Sequence, residues 1–227
     1  GGGGLATWIL HNESSDRQQP LSPKAPVVFC LSPLVGTPLT TSAKFAVACQ
    51  SPLTGRINDS LSSSHFAIAA KRSGFDAIVL TGASSTPVVV IVEPGSVRFE
   101  SAEELWGHSS HAASESLKAR LGQGFRIAAI GPAGEHLVRF ATVSHDGRHA
   151  GRGGTGAVLG SKRIKALAVR GDRVTSVADP AAVAKYAKQL SEKSFGPATA
   201  KYRELGTATN LLTFNRLGTL PTRNFQA

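Results

Sequence analysis

Apolar residues come in short blocks along this chain, not in long stripes. Pro26–Leu31 (PVVFCL), Lys44–Cys49 (KFAVAC), Phe75–Leu80, Phe125–Ile130, Val138–Val143 and Lys165–Arg170 (KALAVR) are each bounded by turn-forming residues. Such runs read as buried strands. Residues 86–92 (TPVVVIV) and 96–100 (SVRFE) flank Glu93-Pro94-Gly95 and predict a hairpin, and Arg173–Val177 a short extension. Residues 13–25, Gly36–Ser42, Ser51–Arg56, 57–64 (INDSLSSS) and GPAGEH at 131–136 read as loops and turns. Helical spacing is confined to brief segments. Leu5, Trp8 and Ile9 share a face of a helix within residues 1–12, fed by a turn of glycines. His65–Arg72 and roughly Thr155–Arg163 are further short helices. Residues 101–121 form another, with Ser101 and Glu104 as a capping box, stopped by Gly122 and Gly124. After Asp179-Pro180 the period changes: residues 181–195 and 198–217 are helical. The prediction is an α+β domain over 1–178 with short helices, followed by the first helices of an α-helical domain over 179–227.

The first half returns in the second, about 26–82 against 125–171. VFCLSPLVG (28–36) pairs with IAAIGPAG (127–134), KFAV (44–47) with RFAT (139–142), Gly55-Arg56 with Gly147-Arg148, and FDAIVLTG (75–82) with IKALAVRG (164–171). Order is kept and the spacing between equivalents shrinks steadily, as loop shortening would produce. The small-residue segments SSSHF (62–66) and GRGGT (151–155) correspond. A pseudo-two-fold domain with two phosphate-sized cradles follows, suited to a ligand that is itself doubled.

Composition narrows the chemistry. Net charge is +10, which favours an anionic partner. The charges are dispersed and aromatics are only 6%, unlike single-strand nucleic-acid binders. No apolar run approaches the roughly 18–20 residues of a spanning helix. We therefore expect neither nucleic acid nor membrane, and a phosphorylated cofactor fits better. Cys30 and Cys49 form no metal-ligand spacing and read as small buried hydrophobes. A reducing, cytoplasmic setting fits them. The chain lacks Met and opens GGGGLATWIL, which predicts a fragment of a longer protein.

The densest chemistry lies in residues 144–165 (SHDGRHAGRGGTGAVLGSKRIK). Glycines stand here among Arg148, Arg152, Lys162, Arg163 and Lys165. Backbone N–H groups in such a turn, or at the start of the helix after it, attract anions. Arginine adds forked donors for phosphate. A solvated glycine turn with scattered charge is the alternative. His145, Asp146 and His149 lack a second ligand cluster; Asp146 reads as a turn cap and His149 as facing a ligand. Glu135 either caps a helix or faces a ligand N–H. Arg152, Gly153 and Gly154 are added as binding residues on these physical grounds.

Several blocks resemble the tungsten-containing aldehyde:ferredoxin oxidoreductases: GGGGLAT, SPLTG (51–55), GFDAI (74–78), the E-LWG of Glu103–Gly107, IGPAGE (130–135), LVRFA (137–141), AGRGGTGAVLGSK (150–162) and LPTRNFQ (220–226). The chain is similar to the N-terminal domain of that family, and LVGTPLTTSAKFAV is closer to its bacterial members. The resemblance implies a double β-sheet base carrying a bis-pterin with tungsten or molybdenum. It also implies oxidation of a small aldehyde to a carboxylic acid, with electrons passed through a [4Fe-4S] cluster to ferredoxin or another electron-transfer subunit, in a homo- or hetero-oligomer. By the same resemblance Lys44, Ser62, Ser63, Arg148, His149 and Gly151 stand at pterin-binding positions. Leu61 replaces an asparagine, and Lys44 an arginine. Cluster cysteines and the catalytic acid/base lie outside these residues. Asn210, Asn215 and Thr222–Asn224 are weaker candidates. From another class, a basic nucleotide- or nucleic-acid-binding module without redox activity also accounts for the charge.

Overall fold

The computed structural model describes residues 1–14 and 18–226. They divide into two compact units, the first ending at Ser176 and the second running from Val177 together with Pro38–Thr40.

The first unit is α+β. Strands β1 (Val27–Leu31), β2 (Lys44–Gln50), β3 (Ile57–Ser63) and β4 (Ala77–Leu80) form an antiparallel sheet in the order β3-β2-β1-β4. Its two faces follow the pleat. Val27, Phe29, Leu31, Phe45, Val47 and Cys49 face the main core. Val28, Cys30, Ala46 and Ala48 face the other way, beneath Ala6 and Leu10 of helix α1 (Gly2–Glu13). The second sheet has β5 (Val88–Glu93), β6 (Ser96–Ser101), β7 (Arg126–Ala129), β8 (Val143–His145), β9 (Arg148–Ala150) and β10 (Ile164–Val169), in the order β6-β5-β10-β7-β8-β9. Only the β5–β10 pair is parallel. Between the sheets lie α2 (His65–Arg72) and α5 (Thr155–Ser161), which send Phe66, Ala67, Ala70, Val158 and Leu159 into one core with both. Helix α3 (Ser110–Leu121) covers the outer face of the second sheet with Ala113 and Leu117.

One connectivity occurs twice. β1-β2-β3-α2-β4 gives the order β3-β2-β1-β4, and β7-β8-β9-α5-β10 gives β9-β8-β7-β10. In each set the last strand lies antiparallel beside the first. The residue pairing KFAV/RFAT does not follow this match. Lys44–Val47 lie in β2, whereas residues 138–142 form turns ahead of β8. Those turns close locally and on α5: Ala141 N–H donates to Val138 O at 2.8 Å, and Gly156 N–H to Ala141 O at 3.0 Å. The strand expected at Val138–Val143 is therefore only its last residue, continued to His145.

Other expectations change for identifiable reasons. Residues 57–63 are a strand, paired with β2 from Lys44↔Ser63 to Gln50↔Ile57. The open edge of β2 overrides the weak β-propensity of Asn, Asp and Ser. Helix α1 starts at the glycines themselves and leaves Trp8 exposed. A Cβ on Gly1 would lie 2.5 Å from Pro33 Cδ, and one on Gly3 2.6 Å from Asp59 Oδ2, so these glycines let the helix seat closely on the strand ends. Ser101 ends β6, and its Oγ accepts from Glu103 N–H at 3.4 Å at the head of a single 3₁₀ turn, Glu103–Leu105; the helix itself starts later, and Ser109 caps α3, accepting from Ala112 N–H at 3.1 Å. Arg173–Val177 is not a strand.

The second unit contains α6 (Pro180–Ser194), α7 (Pro197–Leu205) and α8 (Leu211–Arg216). Asp179 caps α6 by accepting from Ala182 N–H at 2.9 Å. Among the described residues of these helices only Ala187 is buried.

Helix α5 packs main chain against main chain. A Cβ on Gly160 would lie 1.9 Å from Gly134 O, in the short helix α4 (Pro132–Glu135). Gly160→Ala is therefore expected to cost at least about 1–3 kcal/mol, the range for overpacking. Gly4→Ala, on an exposed helical position with nothing within 4 Å of the added carbon, is expected to be neutral or stabilising by up to about 1 kcal/mol. Urea unfolding of the two variants checks the contrast.

Candidate functional site at the meeting of two sheet edges

The edge strands of the two sheets, β3 and β9, come together. Ser62 Oγ lies 2.7 Å from His145 Nε2 and donates to His149 O at 3.3 Å. Arg152 N–H donates to Ser60 Oγ at 3.1 Å. Alternation along β3 turns Ser60 and Ser62 inward to these contacts and leaves Asp59, Leu61 and Ser63 outward. Two adjacent cavities open on this line. One, of about 490 Å³, is lined by Asp59, Ser60, Leu61, His149, Gly151 and Arg152. The other, of about 530 Å³, is lined by Lys44, Leu61, Ser62, Ser63, Arg148 and His149. Leu61 and His149 belong to both.

The structure thus gathers Lys44, Ser62, Ser63, Arg148, His149, Gly151 and Arg152 in one place. The small-residue segments of the two halves lie side by side along one double cavity. Gly153 and Gly154 line neither lobe. Both have left-handed φ, 75° and 72°. A Cβ on Gly153 would lie 2.0 Å from Asn58 Nδ2, and one on Gly154 2.0 Å from Arg139 O. They shape the turn into α5 and let it dock. The start of α5 is itself buried at Gly154 and Thr155, so it offers no open anion cradle. Gly151, by contrast, has nothing within 4 Å of its would-be Cβ and leaves space at the cavity wall.

The cations of the stretch also divide. Lys162 and Lys165 are fully buried. Lys162 Nζ donates to Pro23 O at 2.7 Å and Gly82 O at 3.1 Å, and burial pushes its pKa down to about 8. Lys165 pairs with buried Glu135 and donates to His108 O at 2.7 Å. Glu135 also accepts from Gly107 N–H at 2.8 Å, so it serves the interior and neither caps its own helix nor faces the cavity. Lys44, Arg148 and Arg152 remain at the cavities and form no ion pair among the described residues, against one carboxylate, Asp59. Asn58 Nδ2, packed on Gly153, is buried without a hydrogen-bond partner among the described residues. This donor set, rich in N–H and short of carboxylates, fits an anionic, oxygen-bearing ligand.

His145 is the joint beneath. It is buried, with its ring edge-on to Phe45 at 4.8 Å. Burial pushes its pKa down to about 4, so the ring is neutral near pH 7. Ser64 Oγ lies 2.8 Å from Nδ1. Because Ser62 gives its hydrogen to His149 O, Nε2–H donates to Ser62 and Nδ1 accepts from Ser64. The neighbouring Asp146, at φ 46°, accepts from Phe66 N–H at 2.8 Å and so caps α2 of the other half. The sequence marked Asp146 as a turn cap but gave no sign of this partner. It also missed Asp59 and Ser60 as lining residues, and alternation along 57–63 is the signal that finds them.

Cys30 and Cys49 are free, buried, and on opposite faces of their sheet. Burial raises both thiols, Cys49 to about 12. Among the described residues no cluster of His, Cys, Asp or Glu could hold a metal ion.

Fold and site together define a two-sheet α+β platform of repeated connectivity, with a cationic double cavity where its edges meet. Residues 1–171 match the family model for the aldehyde ferredoxin oxidoreductase N-terminal domain. The chain belongs to this family. It is 36% identical to the tungsten-containing aldehyde ferredoxin oxidoreductase of Pyrococcus furiosus and 37% to that of Thermococcus kodakarensis, each over 100% of this chain and 38% of the relative. It thus spans well under half the length of those relatives. A solved structure titled as the active-site complex BamBC of benzoyl coenzyme A reductase with 1,5-dienoyl-CoA has a TM-score of 0.80 and 32% identity, over 85% of this chain and 29% of that one.

Two outcomes are expected. His145 takes up a proton near pH 4 when folded and near 6.5 when unfolded. Between those values the unfolded chain binds more protons, so the contribution is full above pH 6.5 and is lost as pH falls towards 4. The stability gap between wild type and His145→Gln should narrow by on the order of 3 kcal/mol from pH 7 to pH 4, read from urea midpoints. A gap independent of pH would contradict the buried neutral imidazole. Glu135→Ala leaves Lys165 buried and unpaired and is expected to cost about 3–5 kcal/mol in the same assay; the double change Glu135→Leu, Lys165→Met should recover most of it.

Proposed function

We propose that this chain is the cofactor floor of an enzyme that oxidises small aldehydes to carboxylic acids, with the double cavity seating a phosphate-bearing bis-pterin that holds tungsten or molybdenum. The observation that carries this reading is the convergence of two sheet edges on paired lobes of similar size, lined by unpaired cations, in a chain of this family. When bound, the cofactor supplies two-electron chemistry: an aldehyde and water give a carboxylic acid, two protons and two electrons.

The chain's own residues bind and orient. Lys44 and Arg148 supply charge at one lobe and Arg152 at the other. Ser63 supplies a hydroxyl, Ser62 acts by holding the joint beneath the lobe through His145 and His149, and Gly151 gives room for backbone approach. Gly153 and Gly154 act indirectly, by setting the turn that presents Arg152. Lysine at position 44 offers a point charge without arginine's fork, so its contact with an anion is single. Residues 1–178 form the floor and those from 179 open the helical part of the enzyme. A [4Fe-4S] cluster would take its cysteines from elsewhere in the protein, since Cys30 and Cys49 are buried apart. Ferredoxin or a dedicated subunit would be the electron acceptor, in a cytoplasmic homo- or hetero-oligomer. Among the described residues no helix is long and apolar enough to cross a membrane.

Metal analysis and pterin extraction on the full-length protein test the reading. Wild type should carry tungsten or molybdenum together with pterin. Arg148→Ala and Arg152→Ala should each lower cofactor retention about tenfold or more, the loss of a charge-assisted hydrogen bond. A full-length wild type with neither metal nor pterin refutes the proposal.

A further inference from the structure

His149 stands on the boundary of both lobes and is held at two points. Its carbonyl accepts from Ser62 at 3.3 Å. Its ring Nδ1 lies 2.9 Å from Ser144 Oγ, and Ser144 accepts from Ser110 Oγ at 3.0 Å. Ser144 is on β8 and Ser110 is in the first turn of α3, so the ring is tied through half-buried hydroxyls to two elements of the scaffold. A hydroxyl has one hydrogen to give. With Ser110 donating to Ser144, the Ser144 hydrogen is left free to be given to Nδ1. In that arrangement the ring carries a hydrogen on Nε2. That nitrogen is the ring's free donor: among the described residues the His149 ring is hydrogen-bonded through Nδ1 alone.

We propose that His149 donates an Nε2–H hydrogen bond to an oxygen acceptor of the ligand spanning the two lobes, and that Ser144 and Ser110 are positioning residues that fix its tautomer and ring plane. This rests on the cofactor reading above. Arg148 and Arg152 supply charge on either side, and a flexible cation tolerates many directions of approach. A tethered ring recognises its acceptor by direction and has little rotamer freedom left to lose on binding. The lobes are joined at this residue, so one contact there registers both halves of a doubled ligand.

The test is the rate of pterin and metal release from the purified full-length holoenzyme at elevated temperature. His149→Ala should release cofactor about tenfold faster than wild type. His149→Gln, whose amide N–H reaches a similar position, should recover part of that loss. Ser144→Ala should fall between wild type and His149→Ala, and Ser144→Thr, which keeps the hydroxyl, should restore the wild-type rate. A merely structural role for Ser144 would not give rescue by the hydroxyl together with unchanged thermal unfolding. Wild-type release from His149→Ala overturns the donor role. Fast release from His149→Ala with wild-type release from Ser144→Ala overturns the relay. If His149→Ala does not accumulate, the Gln and Ser144 variants decide the question. A wild-type holoenzyme without pterin overturns the cofactor reading itself, before any variant is compared.

Discussion

Everything at the site depends on a joint between two sheet edges that would otherwise be free. Unpaired edge strands invite pairing with other chains. Here β3 and β9 are fastened across each other by side chains, through Ser64, His145, Ser62 and the carbonyl of His149 in sequence. The joint works because its imidazole is buried and neutral, with one nitrogen giving and one taking. Asp146 adds a second fastening by capping α2 of the opposite half. Together they hold the cavity walls, which come from residues about ninety apart in sequence, in a fixed relation.

Much of this was legible in the chain. The strands with alternating or continuous apolar residues were placed close to where they occur, because burial on both faces leaves a plain signature. The connectivity of the halves was visible in turn residues more than in strand residues. Where the reading went astray, the cause was tertiary. Residues 57–63 have a loop's composition and a strand's conformation, since β2 needed a partner. Residues 138–142 look like a strand and are turns, since Ala141 closes back on Val138 and α5 takes up the Ala141 carbonyl. Glycine proved the most ambiguous signal. In GRGGTGAVLGSK it suggests an open backbone, yet Gly154, Gly156 and Gly160 all serve close packing, and only Gly151 faces room.

The candidate site was legible for a different reason. Residue type and family pattern single out Lys44, Ser62, Ser63, Arg148, His149, Gly151 and Arg152, and the fold brings them to one line. What sequence alone could not give was proton bookkeeping. Nothing in the spacing of Ser110, Ser144 and His149 says that they touch. Likewise Lys162 and Lys165 count as basic residues in a charge sum, but their ammonium groups point inward to carbonyls and to Glu135. Net charge therefore overstates the positive surface available to a ligand.

The contact between α4 and α5 carries one last implication. Side chains at an ordinary helix crossing can trade volume, one growing as another shrinks, and the crossing drifts by fractions of an ångström. Where a peptide plane rests directly on a glycine there is nothing to trade. The separation is set by atoms that every sequence shares, and it works as a gauge block built from main chain. Since β9 runs into α5 through Gly151–Gly154, the cavity wall inherits that fixed dimension, and its width is insulated from gradual change in the surrounding core.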